Sequence, residues 1–239
     1  LPDHRKHRGP HPEDSRLFRS ENLPALRMAT RDLSWLLSHG YAPSSSLKLV
    51  GDRYALDSRQ RVAVARCACG DAALERRQRH RVEPPAIRGA ALSIDGFNVL
   101  TTIEAALAGG LILKARDGCY RDMASMHGNY RTVTETRRAI EILGVTLAAL
   151  EARPCLWLLD QPVSNSGRLK TLLREFGEAA GWDWQIELVP DPDPVLIGSD
   201  QIVASSDSQI VDRTERWFNL VQIVLDTHLP DAWRVDLAT

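Results

Sequence analysis

No run of apolar residues in this 239-residue chain approaches the ~20 that a membrane-spanning helix needs, and no secretory signal pattern is present. Cysteine is scarce. Cys67, Cys69, Cys119 and Cys155 do not make a secreted disulfide framework, and reduced thiols in a cytoplasm are expected. Cys67-x-Cys69 has no second pair, so a structural zinc centre is not supported. A Walker A glycine loop is missing, which sets aside a P-loop nucleotide hydrolase. There is no internal repeat. What remains is a globular composition, 44% hydrophobic and 26% charged. The length suits one large domain, or one domain with a small partner.

Strong net charge is also absent: the formal total is −1. The charge is unevenly placed, however. Residues 1–90 carry 17 Lys+Arg against 10 Asp+Glu, and residues 91–239 carry 13 against 21. A basic front half suggests a nucleic-acid partner, although a solvated basic face gives the same count. Residues 1–22, rich in Arg, His and Pro, are expected to form a flexible basic arm. Residues 23–82 show helical spacing and read as a small basic helical domain. Glu83-Pro84-Pro85 marks a linker over residues 83–91. From residue 92 onward, strands alternate with helices. That pattern predicts an α/β domain over 92–239 with a mostly parallel central sheet and helices on both faces. The expected strands are LSIDGFNVL, CLWLLD, WQIELVP, QIVASSD and WRVDL; RWFNLVQIVLDTHL is expected to be a helix.

Three of these strands end in aspartate: Asp95, Asp160 and Asp207. In an open parallel sheet the carboxyl ends of the strands line one edge, where ligands bind. Carboxylates gathered there raise one another's pKa unless a cation lies between them. An all-oxygen site suits Mg²⁺ or Mn²⁺. Such an ion can activate water and clamp a phosphate. The competing reading is that each aspartate only caps the next helix.

IDGFNVL resembles the first strand of the PIN-like nuclease superfamily, notably its NYN branch, which opens on a D-G-[YF]-N-V motif. LWLLDQP is similar to the strand-plus-Asp motif of the flap-endonuclease branch, and ASSD to the late [ST]-[SG]-D motif. The resemblance spans residues 92–237. It implies a PIN-like fold and a divalent-metal-dependent nuclease, an endoribonuclease by likeness to NYN relatives. Asp95, Asp160 and Asp207 would be acidic ligands, and Asn98 would orient Asp95 or a bound phosphate. The superfamily also offers a mid-domain acidic residue. Asp193 in DPDPVLIGSD is taken for it, with Asp191, Asp200, Asp117 and Asp122 as rivals. The whole chain, with LSWLLSHGYAPSSSLKLVGDRY in front, also resembles a group of uncharacterised prokaryotic proteins.

Other residues extend this expectation to RNA as a partner. Ser164, Asn165 and Ser166 open a helix and could cradle a phosphate, with Arg168 and Lys170 adding charge. A serine-capped helix is the alternative. Arg121, His127 and Arg131 flank a polar segment that could face the substrate, or could be surface loop. The arginine-rich stretch at residues 59–81 is the expected electrostatic footprint for phosphates. Two other classes stay in view. One is an inactive nucleic-acid-binding or scaffolding module. The other is a small-molecule phosphohydrolase, disfavoured because Phe97 stands where its acid–base aspartate would be.

Overall fold

The computed structural model describes residues 7–124 and 130–238. Its first part is helical: α1 (Asp14–Leu17), α2 (Leu23–Ser38), α3 (Pro43–Arg53), α4 (Ser58–Cys67) and α5 (Asp71–His80). Local sequence accounts for these helices. Helix α2 buries Leu26, Ala29, Thr30, Leu33 and Ser34, one stripe at three-to-four spacing. Pro43 sits in the first turn of α3, where its missing N–H is harmless. Asp57 and Gln60 make a capping box for α4.

Residues 7–22 were expected to belong to a flexible arm, yet they pack. Arg8 is buried against Glu104, and Asp14 is buried with Arg59 Nη2 at 2.8 Å from its Oδ2. Leu17 and Phe18 enter a core. Composition reads such a segment as disordered because the partners of its charges lie far along the chain. The expected linker is a short 3-10 turn at Pro84–Ile87, anchored by a fully buried Ile87.

The remainder runs β1 (Leu92–Asp95), α6 (Gly96–Leu107), β2 (Ile112–Lys114), β3 (Tyr120–Asp122), α7 (Thr136–Ala149), β4 (Cys155–Asp160), α8 (Ser166–Ala180), β5 (Trp184–Val189), α9 (Pro192–Ile197), β6 (Ile202–Ala204), α10 (Ser208–Val211), β7 (Trp217–Phe218), α11 (Leu220–His228) and β8 (Arg234–Asp236). The main sheet has the order β5-β4-β1-β6-β7, all parallel. A second sheet, β3-β2-β8, mixes antiparallel and parallel pairs. The α/β class expected from the sequence is therefore present, behind a helical N-terminal region.

Two boundaries differ from expectation. The strand at residue 92 does not run to Leu100, because the chain turns helical at Gly96. Trp217–Phe218 is a strand rather than a helix start. Fully buried parallel strands are short apolar runs, and their ends cannot be told from adjoining buried helix by periodicity.

One core lies around the main sheet and α6, α7 and α11. A second core joins α2, α3 and α4 to the small sheet: Leu26, Leu33, Val64 and Cys67 pack with Leu113, Val235 and Leu237. Among the described residues no helix is long and apolar enough to cross a membrane.

Candidate acidic cleft at the strand ends

Strands β4, β1 and β6 are neighbours in the main sheet, and the order of connection reverses between β1 and β6. Adjacent strands lie about 4.8 Å apart, so residues at their carboxyl ends are brought together. Asp95 ends β1, Asp160 ends β4, and Asp207 follows β6 after Ser205 and Ser206. All three line one cleft of about 550 Å³. Asp193 from α9 and Asp122 from β3 line it too. Of the rivals for the mid-domain acid, Asp191 and Asp200 are exposed outside this lining, and Asp117 is buried elsewhere in a clamp of arginines. Asp191 caps α9 by accepting the Asp193 N–H at 3.1 Å.

Gly96 explains part of this convergence. A Cβ there would meet the Leu158 carbonyl oxygen at 2.8 Å and Leu159 Cδ2 at 2.5 Å. Only glycine lets the turn after Asp95 approach β4 this closely.

Asp95 is 8% exposed, and its Oδ2 accepts the Ser205 hydroxyl at 2.7 Å. Burial pushes its carboxyl up to about 7; the Ser205 and Asn98 N–H hydrogen bonds oppose this, while the charges of Asp207 and Asp193 add to it. Asp160 is raised by burial and by Asp191. Asp193 is raised by burial and by Asp207, Asp191 and Asp160. Asp207 also caps α10, taking the Gln209 N–H at 2.7 Å, so the capping reading and the cleft reading both hold for it.

The side chain of Asn98 does not reach Asp95. Its Oδ1 accepts from Ser206 N at 3.0 Å and Ser206 Oγ at 2.8 Å. A backbone N–H can only donate, so the amide orientation is fixed, with oxygen toward Ser206. Ser205 and Ser206 thus tie the β6 end to Asp95 and Asn98. Sequence reasoning picked only the aspartate from ASSD, although the two serines were the visible signal.

Other expected contacts lie elsewhere. Arg121 lines the cleft, but its guanidinium is held by protein: Nε donates to Ser206 O at 2.7 Å, and Nη2 to Asp117 Oδ2 at 2.7 Å. It braces the loop before Asp207. Arg131 is exposed and outside the cleft lining; its carbonyl accepts from Arg8 at 3.2 Å. His127 lies outside the described residues. Ser164 and Arg168 are exposed, and neither lines the cleft. Asn165 Nδ2 donates to Tyr130 O at 2.8 Å, and Ser166 Oγ to Gln161 O at 3.2 Å. Lys170 lines a separate hollow beside Trp182 and Trp184.

Five carboxylates therefore face the cleft, against the guanidiniums of Arg66 and Arg121. Arg66 Nη1 donates to the Asp122 carbonyl. Such a surface repels a phosphate and attracts a cation. Among the described residues, no three His, Cys, Asp or Glu side chains are grouped closely enough to enclose a metal ion. The set fits a hydrated hard cation instead. Mg²⁺ keeps several waters and needs only one or two carboxylates, the rest of its shell coming from substrate oxygens.

The family model described as Domain of unknown function (DUF5616) matches residues 84–223, and the one described as Protein of unknown function (DUF434) matches residues 25–80. An uncharacterized protein of Methanocaldococcus jannaschii is 29% identical over 187 residues, covering 78% of this chain and 89% of that protein. No solved structure gives a significant match.

Proposed function

This chain belongs to the first of those families, and we propose that it is a Mg²⁺- or Mn²⁺-dependent nuclease that cuts RNA internally. One observation carries the reading. Asp95, Asp160, Asp193 and Asp207 come from separate elements and face a single cleft at the switch point of a parallel sheet. The choice of RNA rests on the resemblance of IDGFNVL to the NYN branch.

Asp95 and Asp207 are the first candidates to hold the cation, since they share one cleft edge and the Asp207 charge adds to the cost of charging Asp95. When bound, the ion would supply Lewis-acid activation of a phosphodiester and a more acidic water. The chain's own residues supply the rest. Ser205 holds the Asp95 carboxylate in place through Oδ2, and Ser206 fixes Asn98 with its amide nitrogen turned away from Ser206. Burial of Asp95 keeps the carboxyl dry, so a cation is the favourable way to restore its charge.

The spread of the carboxylates favours a second reading, a nucleic-acid-binding or scaffolding module without turnover. A cleavage assay separates the two. Labelled single-stranded and structured RNA is incubated with Mn²⁺ or Mg²⁺, with EDTA and Asp95→Asn as controls. The nuclease reading expects metal-dependent cutting that falls at least about 100-fold in the variant, as for removal of a group acting on the transition state. Binding that survives chelator, with no cutting by the wild type, supports the second reading.

A further inference from the structure

We propose that the helical region furnishes the apolar wall of the cleft. On this view it seats the base of one unpaired nucleotide there, instead of tracking a strand along a basic face. The inference rests on the nuclease reading and names its substrate more closely.

The arginines of residues 59–81 are the first argument. A polyanion is held without sequence reading in proportion to the phosphates that free cationic groups neutralise. Here most of the guanidiniums are already engaged, while Arg79 is exposed and has no partner among the described residues. Arg59 bonds Asp14, Arg61 Nη2 reaches Asp52 at 2.8 Å, and Arg66 donates to the Asp122 carbonyl. Arg77 Nη2 lies 2.7 Å from Asp212, and Arg81 Nη2 3.0 Å from Gln222.

The second argument is the shape of what remains. Leu47 of α3 and Val62 and Ala65 of α4 line the cleft together with Asp95, Asp160, Asp193 and Asp207. Val62 is 43% exposed. One side of the hollow therefore presents aliphatic side chains beside Arg66, whose guanidinium donates to the Asp122 carbonyl, and the other is carboxylate. Its volume of about 550 Å³ suits a small ligand, not a helix of nucleic acid. The matching occupant has an anionic group, which meets the carboxylates through a cation, and a flat apolar body on the other side. A nucleotide joins these two parts. Its base must be unstacked and unpaired for a face to reach the wall, as in sites that seat an extruded base between apolar side chains.

The test uses the full chain and single-stranded RNA oligonucleotides carrying one abasic nucleotide at successive positions. Cleavage with Mn²⁺ gives KM and kcat, and fluorescence anisotropy gives affinity independently of turnover. Base–side-chain stacking predicts a five- to tenfold weakening when the abasic position falls at the cleft, on the order of 1 kcal/mol. Leu47→Ala/Val62→Ala should bind intact RNA as weakly as the wild type binds abasic RNA, and should no longer distinguish the two. The slope of log affinity against log salt should stay between about −1 and −2, at about 0.7 per phosphate. Equal affinity for abasic and intact RNA, or a slope of about −4 or steeper, overturns the inference whether or not RNA is cut. Base discrimination without cutting overturns the nuclease reading alone.

Discussion

Asp95 carries the heaviest electrostatic load at the strand ends. Its carboxyl is pushed up to about 7, so between the unfolded value near 4 and that point the folded protein keeps a proton that the unfolded chain has released. Stability then falls as pH rises through this window and levels off above it. In EDTA, the melting temperature should drop from pH 5 to pH 8, by the equivalent of at most about 3 kcal/mol. Asp95→Asn should remove that drop, and Mn²⁺ at pH 8 should raise the melting temperature of the wild type alone. Identical pH profiles for the two proteins would sink the argument. Gly96→Ala should cost about 1–3 kcal/mol in urea denaturation, because the Leu158 carbonyl must move. At this scale the sequence was legible where an aspartate closes an apolar run. It was not legible where partners decide the outcome. Nothing near Asp117 or Asp122 tells that the first is clamped by Arg77, 40 residues upstream, while the second faces the cleft.

Between elements, the Asp117 clamp joins α5 to β3 and to the end of α10. Burial alone would raise this carboxyl, but Arg121 and Arg77 hold it well below the usual carboxylate range. Its contribution to stability is therefore complete above pH 4 and is lost as pH falls below that value. Asp117→Ala leaves two buried guanidiniums short of a partner and should cost about 3–5 kcal/mol. Equilibrium unfolding at pH 7 checks this, and a cost below 1 kcal/mol would show that water replaces the carboxylate. Strands β1, β4, β5 and β6 could be read from sequence because each is an apolar run bounded by turn residues, and β8 was legible as WRVDL. The two residues of β7 were not, because they adjoin a helical run. Nor were β2 and β3, three residues each with Lys114 and Arg121 among them, so that no alternation develops.

At the scale of the whole molecule, the helical region and the small sheet share one core. Helices α2 and α4 complete their core only with β2 and β8, and Arg27 Nε donates to the Asp236 carbonyl at 2.9 Å. A chain lacking residues 1–82 should expose Leu113, Val235 and Leu237 and lose its cooperative thermal transition, while the full chain melts in one step. Two separable transitions in the full chain would contradict this. A linear count of charge does not show pairing: Arg77 meets Asp117 and Asp212 from later elements, Arg59 and Arg61 meet Asp14 and Asp52 within the front half, and Arg79 stays exposed.

The small sheet has a consequence for biosynthesis. Arg27 and Asp236 are 209 residues apart, and Val235 and Leu237 seal the pocket that holds Leu26 and Leu33. On the ribosome, the first helices emerge long before the strand that covers them. They must wait, with apolar sides uncovered, until nearly all of the described chain has been translated. Within the described residues, helices α2 and α4 thus complete their core only after β8 is made, and until then their apolar sides are open to chaperones.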